Sequence, residues 1–232
     1  MNDPTRSKAS TRANASDGSV EAPSMPVNRW RKAVRFAFRK LETLKVYVSW
    51  IAGSELRRSE GHPKLPDGLS MTRLHEYPNV DDLLSRAEGL SRAFVERALE
   101  RGDIAAGIKT ADGTIIAYVW RTFTEAAHTN VVWVRVKRPT VYGYKAFTDA
   151  NYRGQRLSAA ITQELDRICL QRGAQNRLAL IALYNEDSIK AEYHRGSKSI
   201  GYVAFFDWGP CRFTLRTPAV KRAGLELFWR AA

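Results

Sequence analysis

A ten-residue segment that contains two arginines and a glycine is the part of this chain best suited to binding an anion. It reads Asp149-Ala150-Asn151-Tyr152-Arg153-Gly154-Gln155-Arg156-Leu157-Ser158. A glycine lets the backbone approach a ligand closely, and the free N–H groups of a helix N-terminus favour negative charge. The segment therefore predicts a phosphate site, and an ordinary strand-to-helix connection with surface arginines is the alternative.

The elements on either side of this segment predict a parallel β-α-β unit. Residues 141–148 have the composition of a strand, apolar residues recur at helical spacing from 157 to 169, and residues 178–184 form a continuous apolar run. This order places the segment at the carboxyl end of the first strand, where open α/β sheets bind their ligands.

The rest of the chain predicts further strands and helices around that unit. Further strands are expected at residues 69–74, 104–110, 114–123, 131–136 and 200–206. Further helices are expected at 80–99 and 187–195, and Asp112-Gly113 is typical of a hairpin turn. The predicted fold class is α/β, with a mixed sheet that carries helices on both faces.

Residues 152–158 resemble the acyl-CoA pyrophosphate loop of the GNAT superfamily of N-acyltransferases. The pattern of that family is Arg or Gln, two residues, Gly, one residue, and then Gly or Ala. Arg153 fits the first position, Arg156 stands in place of the glycine, and Ser158 stands at the last position. The resemblance extends over about residues 69–208.

A second part of the resemblance follows the apolar strand 178–184. The family has Asn there, then Ala or Ser three residues later, a helix with a tyrosine, and Gly-Phe. This chain has Asn185, Ser188 and Gly196 at those spacings, while Tyr193 lies one position later than the family tyrosine and Ser, not Phe, follows the glycine.

The resemblance implies a GNAT-like sheet that is splayed between strands 141–148 and 178–184, with acetyl-CoA or another acyl-CoA as acyl donor and no metal. The residues it implies for donor binding are Thr148, Arg153, Gly154, Gln155, Arg156, Leu157, Ser158, Asn185 and Ser188. An amine then attacks the thioester directly, because proximity and orientation provide much of the acceleration.

The resemblance also implies three catalytic tasks. A backbone N–H near Thr148 is expected to polarise the thioester carbonyl. Tyr193 is expected to protonate the departing thiolate, with Asn185 positioning the donor, and Ser188 or His194 are alternatives. Asp149 and Glu186 are the candidate bases for the amine. The alternative for Tyr193 is a buried tyrosine that serves only packing, and the alternative for Asp149 and Glu186 is a solvated loop carboxylate.

The chain has 232 residues and a formal charge of +13 that is unevenly distributed. We predict a disordered tail at 1–28, a basic amphipathic helix and extension at 29–58, a linker at 59–68, the acyltransferase domain at 69–216 and a C-terminal extension at 217–232. Residues 29–58 hold nine basic and two acidic residues, a net of +7. The helix at 29–45 suits anionic lipid, nucleic acid or an acidic protein, or packs on the domain with a solvated basic face.

Several other function classes lack their sequence signals. No apolar run approaches the roughly 18 residues of a membrane-spanning helix, and the N-terminus lacks the pattern of a secretory signal, so we expect a cytoplasmic protein. Cys169, Cys211 and the four histidines (His62, His75, His128 and His194) are scattered, which argues against structural zinc. Serine-hydrolase, P-loop and dinucleotide-binding glycine motifs are missing.

The sequence therefore predicts an enzyme that transfers an acyl group from acyl-CoA to an amine on a small molecule or a peptide. An acyl group on an acidic carrier protein is a related donor, which the helix at 29–45 would attract by charge. The alternative is a binding module that keeps the fold without catalysis and uses its basic face on nucleic acid or anionic membrane.

Overall fold

A computed structural model describes residues 33, 36–38, 40–41, 45–58, 61, 63–223 and 225–230. In chain order its strands are β1 Val46–Glu55, β2 Ser70–Arg73, β3 Ile104–Lys109, β4 Ile115–Thr122, β5 Glu125–Ala127, β6 Val132–Arg135, β7 Thr140–Thr148, β8 Asn176–Ala182, β9 Lys198–Trp208, β10 Cys211–Arg216 and β11 Glu226–Trp229. Its helices are α1 Val80–Arg86, α2 Arg92–Glu100, α3 Leu157–Gln171, α4 Glu186–His194 and α5 Pro218–Arg222.

Eight of these strands form one sheet, in the order β10-β9-β1-β8-β7-β4-β3-β2. Strands β7 and β8 run parallel, and the other neighbours in this sheet are antiparallel. A smaller sheet has the order β11-β6-β5. The mixed sheet and the β7-α3-β8 unit are as predicted, and the predicted hairpin closes with a hydrogen bond from Thr110 N to Thr114 O of 3.0 Å.

Strand β1 lies inside the sheet, between β8 and β9. Its residues Trp50, Ile51 and Ala52 are almost completely buried. A strand that is covered on both faces is apolar throughout and lacks the alternation that identifies a half-exposed strand. The sheet therefore begins well before residue 69, the predicted start of the domain, and part of the predicted extension at 29–58 belongs to it.

The two faces of the sheet have different coverings. Helix α3 packs on β3, β4 and β7 through buried residues that include Ile161 and Leu165. Arg121 of β4 is 1% exposed, and its Nη1 lies 2.6 Å from Oδ1 of Asp166 on α3. This ion pair connects the helix to the sheet. Helices α1 and α2 and the smaller sheet belong to the core clusters on the opposite face.

The structure corrects the prediction of one helix over residues 80–99. The chain turns at Gly89, whose φ of +75° suits glycine. Ser91 then begins α2, because its side chain accepts a hydrogen bond from Phe94 N. Strand β5 and the elements β10, α5 and β11 were not predicted, and β11 connects the predicted C-terminal extension to β6.

Much of the predicted N-terminal organisation lies outside the described residues. This applies to the tail at 1–28, to His62, and to most of the basic segment 29–45. Within that segment Ala33, Phe36–Phe38, Lys40 and Leu41 are helical. Over the ranges described above, no helix is long and apolar enough to cross a membrane.

Candidate functional site

Strands β7 and β8 pair over their first four residues and then part. Thr140 lies opposite Asn176 and Gly143 lies opposite Ala179, where the pairing stops. Strand β7 continues for another five residues, to Thr148, and β8 for another three. The predicted splay of the sheet is therefore present, and we call the space between the parted strands the opening.

Backbone N–H groups of β7 face this opening. The N–H of Asp149, directly after β7, donates to Ile116 O on β4 at 2.8 Å. Consecutive residues of an extended strand direct their N–H groups to opposite sides. The Thr148 N–H therefore points away from β4 and towards the opening, as the prediction of a carbonyl-polarising amide near Thr148 requires.

Strand β7 also contains a bulge at the point where it leaves β8. Trp120 of β4 lies opposite Lys145. The next β4 residue, Arg121, lies opposite Gly143, so that Tyr144 is an extra residue in β7. A bulge bends a strand and increases its twist, which explains why β7 departs from β8 at this residue.

The loop after β7 leads into α3 through two left-handed residues. Gly154 has φ +82°, and Arg156 has φ +58° and ψ +20°. Arg156 is the N-cap of α3, and its side chain makes no capping hydrogen bond. Its conformation is the one that glycine adopts most easily, which agrees with the glycine that the family pattern has there. Leu157 is buried and anchors the start of the helix.

Several cationic side chains surround this loop and the first turn of α3. Arg153 and Arg156 are exposed, and Arg153 Nε donates to Thr148 O at 3.4 Å. Arg195, at the end of α4, donates a hydrogen bond from Nη2 to Ser158 Oγ at 3.5 Å. Sequence reasoning missed Arg195, because 37 residues separate it from Ser158. Positive charge and a helix N-terminus together favour a bound anion.

The predicted pair Asn185 and Ser188 forms the N-terminal cap of α4. The Asn185 side chain accepts a hydrogen bond from Ser188 N at 3.2 Å. This contact explains Asn185 and the three-residue spacing as an Asx cap, in which Ser188 contributes its backbone N–H. The structure therefore shows a structural role for the Asn185 side chain at the start of α4.

Tyr193 lies on the side of β8 away from the opening. Tyr193 as a whole residue is 53% exposed, and its ring stacks on Trp50 of β1 at 4.8 Å between centroids. The Trp50 indole N–H donates to Ser199 Oγ on β9, and so the indole points further from β7. The structure thus shows a packing role for the Tyr193 ring, and protonation of the thiolate by Tyr193 stays a prediction.

The two predicted carboxylates follow the parted strands. Asp149 comes directly after β7, is half-buried, and accepts a hydrogen bond from Asn151 N at 2.8 Å. Glu186 is the first residue of α4, four residues after the end of β8, and is also half-buried. His194, the alternative acid, is exposed and its Nδ1 lies 2.7 Å from Lys190 O.

A polar cluster lies on the face of the sheet opposite to α3. His128 Nε2 is 2.8 Å from Ser49 Oγ, and its Nδ1 is 3.4 Å from the hydroxyl of Tyr142. Ser49 lies opposite Ala182, the last residue of β8. Burial lowers the pKa of His128 to about 4, which keeps this imidazole neutral at pH 7. A histidine that is isolated in the sequence has no neighbouring residues at a spacing typical of a site, and so the sequence analysis predicted no role for His128.

A buried carboxylate adjoins the bulge on the same face. Asp103 accepts hydrogen bonds from the Tyr144 hydroxyl and from Arg101 Nη2, each at 2.8 Å. Burial nevertheless raises the pKa of Asp103, because desolvation outweighs these partners. The hydroxyl of the bulge residue is thereby held in one orientation.

Comparison with solved structures finds the same arrangement of strands and helices elsewhere. A GCN5-related N-acetyltransferase from Sphaerobacter thermophilus matches with a TM-score of 0.50 and 12% identity, over 76% of this chain and 56% of that one. A tandem GNAT protein from the clavulanic acid biosynthesis pathway matches with a TM-score of 0.50 and 15% identity, over 84% of this chain and 61% of that one. This chain has the GNAT fold.

The predicted resemblance to the GNAT superfamily is therefore confirmed at the level of the fold. The chain spans less than two thirds of the length of either of these structures. Neither a protein-family model nor a curated protein sequence matches it. Among the residues that the structure describes, no three His, Cys, Asp or Glu side chains are grouped as metal ligands.

Proposed function

We propose that this protein transfers an acyl group from acyl-CoA to an amine. The observation that carries the proposal is the parting of β7 and β8 after Gly143, next to the N-terminus of α3, where the side chain of the N-cap residue makes no capping hydrogen bond. The opening suits an extended thioester arm, and the first turn of α3 suits its diphosphate. Acyl-CoA, when bound, would supply an activated thioester carbonyl.

The residues proposed to hold the donor come from the loop after β7 and the start of α3. The N–H groups of residues 155–158 would bind the diphosphate, and Arg153, Arg156 and Arg195 would add positive charge. Leu157 keeps the first turn of α3 fixed to the core. A rigid set of N–H donors binds an anion without having to reorganise.

The other groups act on the reacting atoms. We assign polarisation of the carbonyl to the Thr148 N–H, because it is directed into the opening. Removal of the amine proton is assigned to Asp149 or Glu186, which follow the two parted strands. A pKa of about 4 makes His128 no more basic than a carboxylate, and we assign it no role as base.

A single substitution at the start of α3 tests the donor site. Ser158→Asp places a carboxylate at the second residue of the helix, next to Arg195, where it should favour the fold through the helix dipole. The same carboxylate would repel a diphosphate. We expect the free energy of unfolding to equal that of the wild type. The affinity for acetyl-CoA, measured by calorimetry, should fall about tenfold or more.

Ala93→Asp is the matched control, because Ala93 is the exposed second residue of α2. It adds the same charge at the same helical position away from the loop, and it should leave binding unchanged. Equal affinities for acetyl-CoA in the Ser158→Asp variant and the wild type would contradict the proposed donor site.

Catalysis is tested by thiol release from acyl-CoAs of different chain length in the presence of pooled amines. The proposal expects release that depends on an amine and is lost in the Ser158→Asp variant. Acyl-CoA binding without release would contradict the transfer reaction. Salt-sensitive binding to DNA or anionic liposomes, with no acyl-CoA binding, would favour the alternative of a non-catalytic module.

A further inference from the structure

We propose that a second cavity, at the closed end of β7 and β8, binds a small organic anion. The cavity has a volume of about 420 Å³ and lies between the start of β7, the start of β8 and the end of β1. Thr140, Asn176 and Ser54 contribute polar groups to its wall. Its volume is within the range of natural small-molecule sites.

This cavity, which we call the closed-end cavity, is separate from the opening. Asn176 is the first residue of β8, and Ala182, beside the opening, is six residues further on. At about 3.3 Å per residue, Asn176 and Ala182 are about 20 Å apart along β8. Glu192 connects Arg177 of the cavity wall to Arg195 beside the donor loop, and so the cavity and that loop are closer to each other than these two ends of β8. The inference does not depend on the proposed acyl transfer.

Two cations beside the closed-end cavity have no partner in the described part of the chain. Arg57 and Lys198 are exposed and line it. Among the residues that the structure describes, neither side chain makes a hydrogen bond or an ion pair. The guanidinium of Arg57 lies over Gly196, where a Cβ would be 3.6 Å from Arg57 Nη2. Both charges therefore lie at the cavity, where they can bind an anion.

A third cation in the wall is fixed in place by its own partners. Arg177 is 5% exposed, and its Nη2 donates to Glu192 Oε2 at 3.0 Å and to Ser54 Oγ and Ser197 Oγ at 3.1 Å each. Glu192 also pairs with Arg195. Among the described residues that line the cavity, Glu55 is the one acidic residue against three cations, and the charge at the wall stays positive when Glu192 is counted against Arg177.

The remaining wall is apolar, which sets the class of ligand. Leu178 and Ile200 line the cavity close to Gly53, where an added Cβ would be 2.4 Å from Ile200 Cδ1. An added Cβ would clash there, so glycine at position 53 lets the side chains of Ile200 and Leu178 pack directly on β1. An apolar wall with cations at its rim fits a phosphate or carboxylate group on an apolar body, and phosphate alone would leave the apolar surface uncovered.

Calorimetry on the full chain tests this inference with phenyl phosphate and benzoate as probes. We expect at least one probe to bind saturably, and binding should weaken about tenfold or more in the Arg57→Gln, Lys198→Gln double variant. Inorganic phosphate should bind more weakly than phenyl phosphate. The double variant Arg58→Gln, Lys190→Gln removes the same charge from exposed positions outside the cavity and should bind the probe as the wild type does.

Competition with coenzyme A separates this site from the loop before α3. Probe affinity should be the same with and without saturating coenzyme A, and also in the Ser158→Asp variant. The inference is overturned if neither probe binds saturably at millimolar concentration, if coenzyme A displaces the probe, or if both double variants bind it equally. Circular dichroism confirms folding, and Lys198→Gln alone, at an exposed position, provides a second readout that should also weaken binding.

Discussion

Arg156 should be responsible for two opposite effects that one set of substitutions can separate. Its backbone is left-handed, with φ +58°, a conformation that costs a residue with a side chain about 1–2 kcal/mol. Glycine avoids this cost but loses more freedom on folding, by about 0.5–1 kcal/mol. Arg156→Gly should therefore stabilise the fold by about 0.5–1 kcal/mol, which raises Tm by about 1–4 °C for a chain of this size.

The same substitution removes a cation from the proposed diphosphate site. An exposed charge of this kind contributes about 1 kcal/mol, which corresponds to about a fivefold loss of acetyl-CoA affinity. Arg156→Ala should lose the same affinity without the gain in stability, because alanine retains the left-handed strain. Urea unfolding and calorimetry on both variants measure the two effects separately.

Lys45→Gly provides the matched control for this prediction. Lys45 is the other described non-glycine residue with positive φ, at +56°, and it precedes β1, outside the loop. Its replacement should stabilise the fold by a similar amount and leave acetyl-CoA affinity unchanged. If Arg156→Gly instead destabilises the protein, or if Arg156→Ala binds acetyl-CoA as tightly as the wild type, the conformation and role derived for this loop are wrong.

Two further predictions concern buried charge. Glu192→Ala leaves Arg177 buried without its carboxylate and should lower the free energy of unfolding, measured in urea, by about 3–5 kcal/mol. Glu96→Ala, which breaks an exposed pair with Arg92, should lower it by at most about 1 kcal/mol. Similar losses in the two variants would refute this prediction. The folded-state pKa of His128 is about 4 against 6.5 when unfolded. As the pH falls, the unfolded chain therefore takes up the His128 proton before the folded chain does. The free energy of unfolding should be at its full value above pH 6.5 and decrease by up to about 3 kcal/mol towards pH 4. His128→Gln should remove this part of the pH dependence.

Local patterns were enough to predict the unit that positions the donor loop. Apolar periodicity over 157–169 and the apolar run after residue 178 identify α3 and β8, because such patterns depend on neighbours in sequence. The hairpin at Asp112-Gly113 follows from the same local chemistry. By contrast, the residues of β1 were grouped with the basic helix and extension at 29–58 and received no strand assignment, and only the structure showed this strand beside β8.

The sequence by itself determined the mixed α/β fold, the β7-α3-β8 unit and a glycine-containing loop with arginines at the start of a helix. Only the tertiary structure decided where β7 and β8 part, that Tyr193 stacks on Trp50, and that Arg195 meets Ser158. These features depend on strand register, on a one-residue bulge and on contacts between residues far apart in the chain. A pattern that reports one element at a time carries no information about such long-range pairings.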